Sequence, residues 1–273
     1  MTSEEKWNSL EDILRNMGLA VLAYSGGVDS SLLLKACAEV MGSNLIAVTA
    51  VSETYPQAEL CEAMEFARSI GAAHRVIRTS ELLSEDFARN DADRCYYCKR
   101  ELFGGLRKIA DAEGIAFVLD GTNKDDLSDF RPGRRAAEEF SVRSPLVEAG
   151  FTKADVRFHA ARLRLPMMDK PPLACLASRI PYGTRITRDN LSLVQSAEDL
   201  LRAYGFRQIR VRHHGDTARI EVDISDFGKL ILQDFRREIV SGMKALGYTF
   251  VSLDLEGYRT GSMNEGIRRG LQS

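Results

Sequence analysis

The sequence predicts an α/β fold, a parallel sheet with helices on both faces, followed by a smaller α+β domain. Three observations carry that prediction. Apolar strand-like runs alternate with amphipathic helix-like runs through the first 168 residues. Gly-, Ser- and Asp-rich stretches fall where strands hand over to the next element. Beyond them, two alternating strands around Gly215 are framed by helices and followed by a last strand, which sets residues 169–273 apart as a second domain.

The elements follow in chain order. Leu19 to Tyr24 reads as a buried strand, and "SGGVDSS" leads from it into a helix beginning near Ser30, with Leu32 to Leu34, Cys37 and Val40 facing inward. "NLIAVTAVS" is a second strand, "YPQAELCEAMEFARSIG" a helix and "AHRVIRT" a third strand. "RELFGGLRKIADAEG" is a helix leading into the fourth strand, "IAFVLD". Strands alternating with helices require right-handed crossovers and hence parallel pairing. Ligands of such sheets bind at the carboxyl ends of the strands, where "SGGVDS", "SETYP" and "DGTNKDDLSDFRPGRRAAEEF" lie, the last loop-like around Pro132 and Gly133. "TKADVRFHAARLRL" closes the first domain as a helix, and the proline-rich "PMMDKPPLACLASRIPYGTRIT" crosses to the second. There, "RDNLSLVQSAEDLLRAYGF" is a helix, "RQIRVRHHG" and "TARIEVDIS" are strands, "GKLILQDFRREIVSGMKALG" is helical and "YTFVSLDLE" is a strand.

Composition narrows the function classes. The 273 residues are 44% hydrophobic and 28% charged, and 37 basic against 39 acidic side chains give a formal charge of -2. There is no basic excess of the kind general nucleic-acid binding requires. No apolar run approaches the roughly 20 residues that span a bilayer. The opening "MTSEEKWNSLEDILRNMG" is acidic and amphipathic, unlike a signal peptide, so a cytoplasmic protein is expected. Five cysteines without an export signal point to reduced thiols.

Two stretches carry chemistry. In Ser25-Gly26-Gly27-Val28-Asp29-Ser30, the glycines let the backbone turn and expose its N–H groups, while the helix N-terminus offers partial positive charge to an anion. The loop lacks the Gly-Lys-Ser/Thr of a Walker loop. The bland alternative is a strand-to-helix turn capped by Ser30. In "DRCYYCKREL", Cys95 and Cys98 could form a disulfide, half of a zinc site, a redox dithiol or part of an iron–sulfur cluster, and those two residues alone do not choose. Cys37 and Cys61 lie on apolar helix faces and read as buried thiols.

"SGGVDSS" and "GTNKDD" resemble two motifs of the PP-loop ATP pyrophosphatases, whose adenine nucleotide alpha hydrolase-like fold matches the predicted sheet. The resemblance implies that Ser25, Gly26, Gly27, Asp29 and Ser30 hold the pyrophosphate of ATP. Thr122, Asp125 and Asp126 belong to the second motif, and one of the two aspartates is the expected Mg2+ ligand. The competing reading of the aspartates is a solvated helix start.

Three further stretches, "SPLVEAGFTKADVR", "KPPLACLASRIPYGTRIT" and "EGYRTGSMNEG", resemble the LarE family of sulfur transferases. That resemblance implies adenylation of the carboxylates of pyridinium-3,5-biscarboxylic acid mononucleotide and their conversion to thiocarboxylates, for the nickel-pincer cofactor of lactate racemase. Some members sacrifice the sulfur of one cysteine, at the place of Cys175, and leave dehydroalanine. Others add two cysteines and hold a 4Fe-4S cluster that carries sulfide. Cys95, Cys98 and Cys175 together favour the cluster, because three thiolate ligands leave one coordination position open. Arg94, Lys99 and Arg100 would offset thiolate charge. A zinc site completed by His213 or His214, and a redox dithiol with Cys175 acting alone, are the alternatives.

The substrate phosphate calls for guanidinium groups, and Arg179, Arg210 and Arg212 are the candidates. An exposed basic strand face competes as the reading of Arg210 and Arg212. Glu198 and Glu221 fit acidic positions of the family. The expected partners are a small-molecule nucleotide substrate, further copies of the chain in a homo-oligomer such as a hexamer, and a nickel-inserting protein that takes the product. A tRNA-thiolating enzyme and a non-catalytic nucleotide-binding regulator are the rival functions.

Overall fold

The computed structural model describes residues 1–128, 132–170 and 174–259. The chain divides into two compact units, one of residues 1–81 with 93–173 and the other of 82–92 with 174–273.

The first unit is built on four parallel strands, β1 (Ala20–Ala23), β2 (Leu45–Val51), β3 (His74–Arg78) and β4 (Phe117–Leu119), in the order β3-β2-β1-β4. Ala20 of β1 is in register with Leu45 on one side and Phe117 on the other. The period of two along β1 shows why both faces are covered. Ala20 and Leu22 join a core with Trp7, Leu10, Leu14 and Leu32 to Leu34, from the helices Ser3–Met17 and Val28–Met41. Val21 and Ala23 point the other way, into a core with Phe103 and Leu106 of the helix Arg94–Ala112. A sheet buried on both sides in this way is the parallel α/β arrangement expected from the sequence.

Three boundaries differ from the sequence reading. The helix after β1 begins at Val28, so Asp29 and Ser30 are in its first turn. The helix leading into β4 begins at Arg94 and takes in Cys95 and Cys98. The stretch expected to be a loop around Pro132 and Gly133 is a helix, Gly133–Glu139, because Pro132 at its N-cap fixes a φ of -52° suited to helix entry.

In the second unit, β5 (Ile209–His214) and β6 (Thr217–Val222) form an antiparallel hairpin, and β7 (Phe250–Leu253) lies parallel to β6. Ile209, Val211, Ile220 and Val222 pack with Ala197 and Leu201 of the helix Arg188–Ala203 and with Ile239 and Met243. The helical stretch after β6 is broken at Leu232, whose ψ of 131° is extended, into Phe227–Ile231 and Gln233–Ala245. The segment 82–92 belongs to this unit. Its buried Asn90 donates side-chain hydrogen bonds to the carbonyls of Ile180 (3.3 Å), Pro181 (2.8 Å) and Thr184 (2.8 Å).

Candidate functional site

The nucleotide loop is assembled by close backbone approach. Gly26 has a φ of +72°, and a Cβ built there would stand 3.0 Å from the Ala63 methyl. Tyr55, on the same side of the turn as Ala63, donates from its hydroxyl to the Ser25 carbonyl at 2.8 Å. Inside the turn, Ser30 Oγ donates to the Gly27 carbonyl (3.1 Å) and accepts from the Ser25 amide (3.3 Å). Ser30 is buried while Ser25 is exposed, so the hydroxyl that holds the loop and the one open to a ligand are different. Behind them, Gly121 leaves no room for a side chain: a Cβ there would lie 2.9 Å from the Ser30 amide nitrogen.

Asn123 ties the two motifs together. Its fully buried amide donates to Asp29 Oδ1 (2.8 Å), its carbonyl oxygen accepts from the Asp125 and Asp126 amides (3.0 and 3.3 Å), and its backbone N–H donates to Asp126 Oδ2 (3.3 Å). The two aspartates divide here. Asp125 is exposed, and its Oδ2 accepts from the Lys153 amide at 2.8 Å, capping the helix Lys153–Arg162. Asp126 is buried, with Lys153 Nζ at 3.2 Å. Burial raises the Asp29 carboxyl above its ordinary value, the Asn123 hydrogen bond works against this and the Asp126 charge adds to it. Thr122 is held to Asp120 by its hydroxyl at 2.7 Å. Sequence reasoning passed over Gly121, Asn123 and Lys153, although the first two sit in or beside "GTNKDD". Their roles are packing and bridging, which a one-dimensional motif does not display.

Cys95 is exposed in the first turn of the Arg94–Ala112 helix, and Cys98, three residues on, is half-buried at the start of the second. Around them, the Arg135 guanidinium lies 4.4 Å from the Tyr96 ring centre and Arg100 5.7 Å, while Arg135 pairs with Asp93 at 3.1 Å. Cys37 is fully buried, and burial pushes its thiol far up. Cys61 departs from the expectation of a buried thiol. It is exposed, because its helix buries Ala63, Phe66 and Ala67 instead, and Cys61 lies two residues off that stripe.

In the second unit, half-buried Cys175 is the N-cap of the short turn Leu176–Arg179. Arg179, 2% exposed, wraps this turn: Nη1 donates to the carbonyls of Ala174 (2.7 Å) and Cys175 (2.9 Å), while Nε and Nη2 form a fork on Glu198 (2.8 and 3.0 Å). Arg212 repeats the pattern, with Nη1 on the Ser178 carbonyl (3.0 Å) and a fork on Glu221 (2.9 and 2.7 Å). Burial would raise the Glu198 carboxyl, but the Arg179 guanidinium outweighs it and holds the group below its ordinary value. Arg210 is buried, donates to the Ile209 carbonyl at 2.7 Å and lies 5.1 Å from the Tyr258 ring centre. Burial, then the neighbouring Arg179 charge, lowers its guanidinium from the ordinary value. Arg210 and Arg212 therefore do not form an exposed basic face; β5 is buried from Ile209 to His213.

Parts of the motifs noted in the sequence, Asp129 to Arg131, Pro171 to Leu173 and the stretch after Arg259 in "EGYRTGSMNEG", lie outside the described residues. Among the described residues, no group of three or more His, Cys, Asp or Glu side chains is arranged to hold a metal ion. The donor types nevertheless suit two groups: Asp29 and Asp126 offer the hard carboxylate oxygens that Mg2+ takes, and in the first unit Cys95 and Cys98, outside its apolar cores, offer the soft sulfur that iron takes.

The fold and the loop define an α/β protein with a helix-flanked parallel sheet and a glycine-rich turn at the end of its first strand. No family model matches the chain. It is 39% identical over 270 residues, 98% of this chain and 97% of the other, to the pyridinium-3,5-bisthiocarboxylic acid mononucleotide synthase of Lactiplantibacillus plantarum. It is also 41% identical over 266 residues to an uncharacterized protein of Synechocystis sp., covering 97% and 99% of the two chains. An uncharacterized protein of Methanocaldococcus jannaschii is 31% identical over 253 residues, 93% of this chain and 95% of that one. The chain belongs to the LarE family.

Proposed function

We propose that the protein is an ATP-dependent sulfur transferase that converts carboxylates of pyridinium-3,5-biscarboxylic acid mononucleotide into thiocarboxylates for nickel-pincer cofactor synthesis. The observation that carries this reading is the near full-length identity with a relative named as the synthase of the bisthiocarboxylic acid. The loop geometry supports the nucleotide half. ATP lays its β- and γ-phosphates against the Ser25–Ser30 turn, where helix N–H groups and the exposed Ser25 hydroxyl donate to phosphate oxygens. Asp29 and Asp126 are a carboxylate pair beside that turn that a hard cation would neutralise, with Asp125 committed to capping. Mg2+ there would draw off charge from the departing pyrophosphate.

A substrate carboxylate oxygen then attacks the α-phosphorus, the bond to the bridging oxygen breaks, and pyrophosphate leaves with the electron pair. The acyl-adenylate so formed has AMP as its leaving group, which a free carboxylate lacks. A sulfur nucleophile adds to the activated carbonyl, and AMP departs as the carbon–oxygen bond breaks. Cys95, Cys98 and Cys175 are the residues that would hold a 4Fe-4S cluster, and the cluster would supply the sulfur. Arg210 is the guanidinium we assign to the substrate phosphate, whose paired oxygens suit a planar fork.

Incubating the protein with ATP, Mg2+ and the dicarboxylate mononucleotide should release pyrophosphate only when substrate is present and yield thiocarboxylate by mass spectrometry. Absence of substrate-dependent pyrophosphate would overturn the reading. Anaerobic purification should give about four iron and four sulfide per chain. Conversion of Cys175 to dehydroalanine after one turnover would instead make Cys175 the sulfur source.

A further inference from the structure

Arg179 and Arg212 entered as candidates for the substrate phosphate, yet the fork of each guanidinium is spent on a buried carboxylate and the remaining nitrogen on main chain. Among the described residues, their main-chain acceptors Ala174, Cys175 and Ser178 lie in one stretch of five residues. Ser178 Oγ adds a third donor to the Cys175 carbonyl at 2.8 Å and itself accepts from Arg179 Nη1 at 3.0 Å. Glu198 in turn accepts the Val211 amide at 3.1 Å, so the fork on Arg179 is anchored to β5 as well as to the Arg188–Ala203 helix. A surface guanidinium meant for a ligand would keep its fork open; these two are 2% and 4% exposed.

We infer that Arg179, backed by Glu198, is a positioning residue that fixes the Cys175 turn and not a phosphate ligand, with Arg212 and Glu221 bracing the Ser178 end of that turn. This rests on the proposed sulfur role of Cys175 only for its functional meaning; the clamp itself is a property of the turn. Bonds to the Ala174 and Cys175 carbonyls set the direction in which the Cys175 side chain leaves the backbone. Carboxylate partners are needed because Arg179 would otherwise be an uncompensated buried charge.

Thiol alkylation kinetics read out by mass spectrometry test the clamp without turnover. Exposed Cys61 in the first unit serves as an internal reference and buried Cys37 as a sensor of unfolding. In Arg179→Lys, which keeps a charge for Glu198 but loses the fork, the Cys175 alkylation rate should rise at least fivefold while Cys61 changes less than twofold and Cys37 stays protected. Ser178→Ala, a milder change at a half-buried site, should give a two- to threefold rise and serves if the lysine variant exposes Cys37. Unchanged Cys175 rates in a variant that protects Cys37 overturn the clamp, as does an accompanying tenfold loss of inorganic phosphate affinity. A clamp that passes in a protein releasing no pyrophosphate would leave the positioning intact and remove only the proposed reaction.

Discussion

Asn123 bridges Asp29 and the Asp126 turn with a fully buried amide, so truncation leaves several polar groups without partners. Asn123→Ala should lower stability by about 1–3 kcal/mol in chemical denaturation and reduce pyrophosphate release. Gly26→Ala forces a side chain into a φ of +72° and against Ala63. Its expected effect is a tenfold or greater loss of ATP affinity, measured by calorimetry, at a folding cost of roughly 1–2 kcal/mol. Removing one member of a buried pair is the costliest class of change: Arg212→Met takes the guanidinium fork from buried Glu221 and should cost about 3–5 kcal/mol, much of it regained in the Arg212→Met, Glu221→Leu double variant. At this scale the sequence displayed the loop residues, because glycines and hydroxyls at a strand end have few other uses. It did not separate Asp125 from Asp126, or Cys37 from Cys61. Neighbouring residues look alike until the helix phase decides which one is buried.

The helices and strands were legible wherever an apolar period persisted over several turns, as in Leu32 to Leu34 of the Val28–Met41 helix and the alternation of β5 and β6. The helix Gly133–Glu139 was not, since Pro132 and Gly133 punctuate a loop as readily as they open a helix. The Lys153–Arg162 helix shows how a terminus is specified. Thr152 Oγ accepts from the Asp155 amide at 3.3 Å, while Asp155 accepts from the Thr152 amide (2.9 Å) and from Lys6 (2.5 Å). Thr152→Ala should cost about 0.5–2 kcal/mol in thermal or urea unfolding. Partial burial would raise the Asp155 carboxyl, but Lys6 and Thr152 outweigh it and hold it well below its usual range. Its stabilising contribution is therefore present above the unfolded carboxylate value of about 3.9 and is lost as pH falls below it. Asp155→Asn should flatten the acid limb of the stability curve.

Across the molecule, all four histidines are shifted the same way: burial lowers His74, His159, His213 and His214 from their ordinary value. The unfolded chain then binds more protons than the folded one below a pH of about 6.5, so stability is full above that value and declines as pH falls through it. The unfolding midpoint should be lower at pH 5 than at pH 7.5, and His159→Phe, replacing the ring stacked on Trp7, should make the decline shallower. A midpoint that does not move between the two pH values would refute this linkage. The parallel sheet and the change of pattern after it could be read from periodicity, but the membership of residues 82–92 in the second unit could not, because pairings across long stretches of chain leave no local signature. That membership bears on synthesis. Asn90 leaves the ribosome 90 residues ahead of Ile180 and 94 ahead of Thr184, the groups its amide must satisfy. The nascent chain therefore carries this polar hook without its acceptors while 94 of the 273 residues are added, and the second unit closes only when the last third of the message has been read.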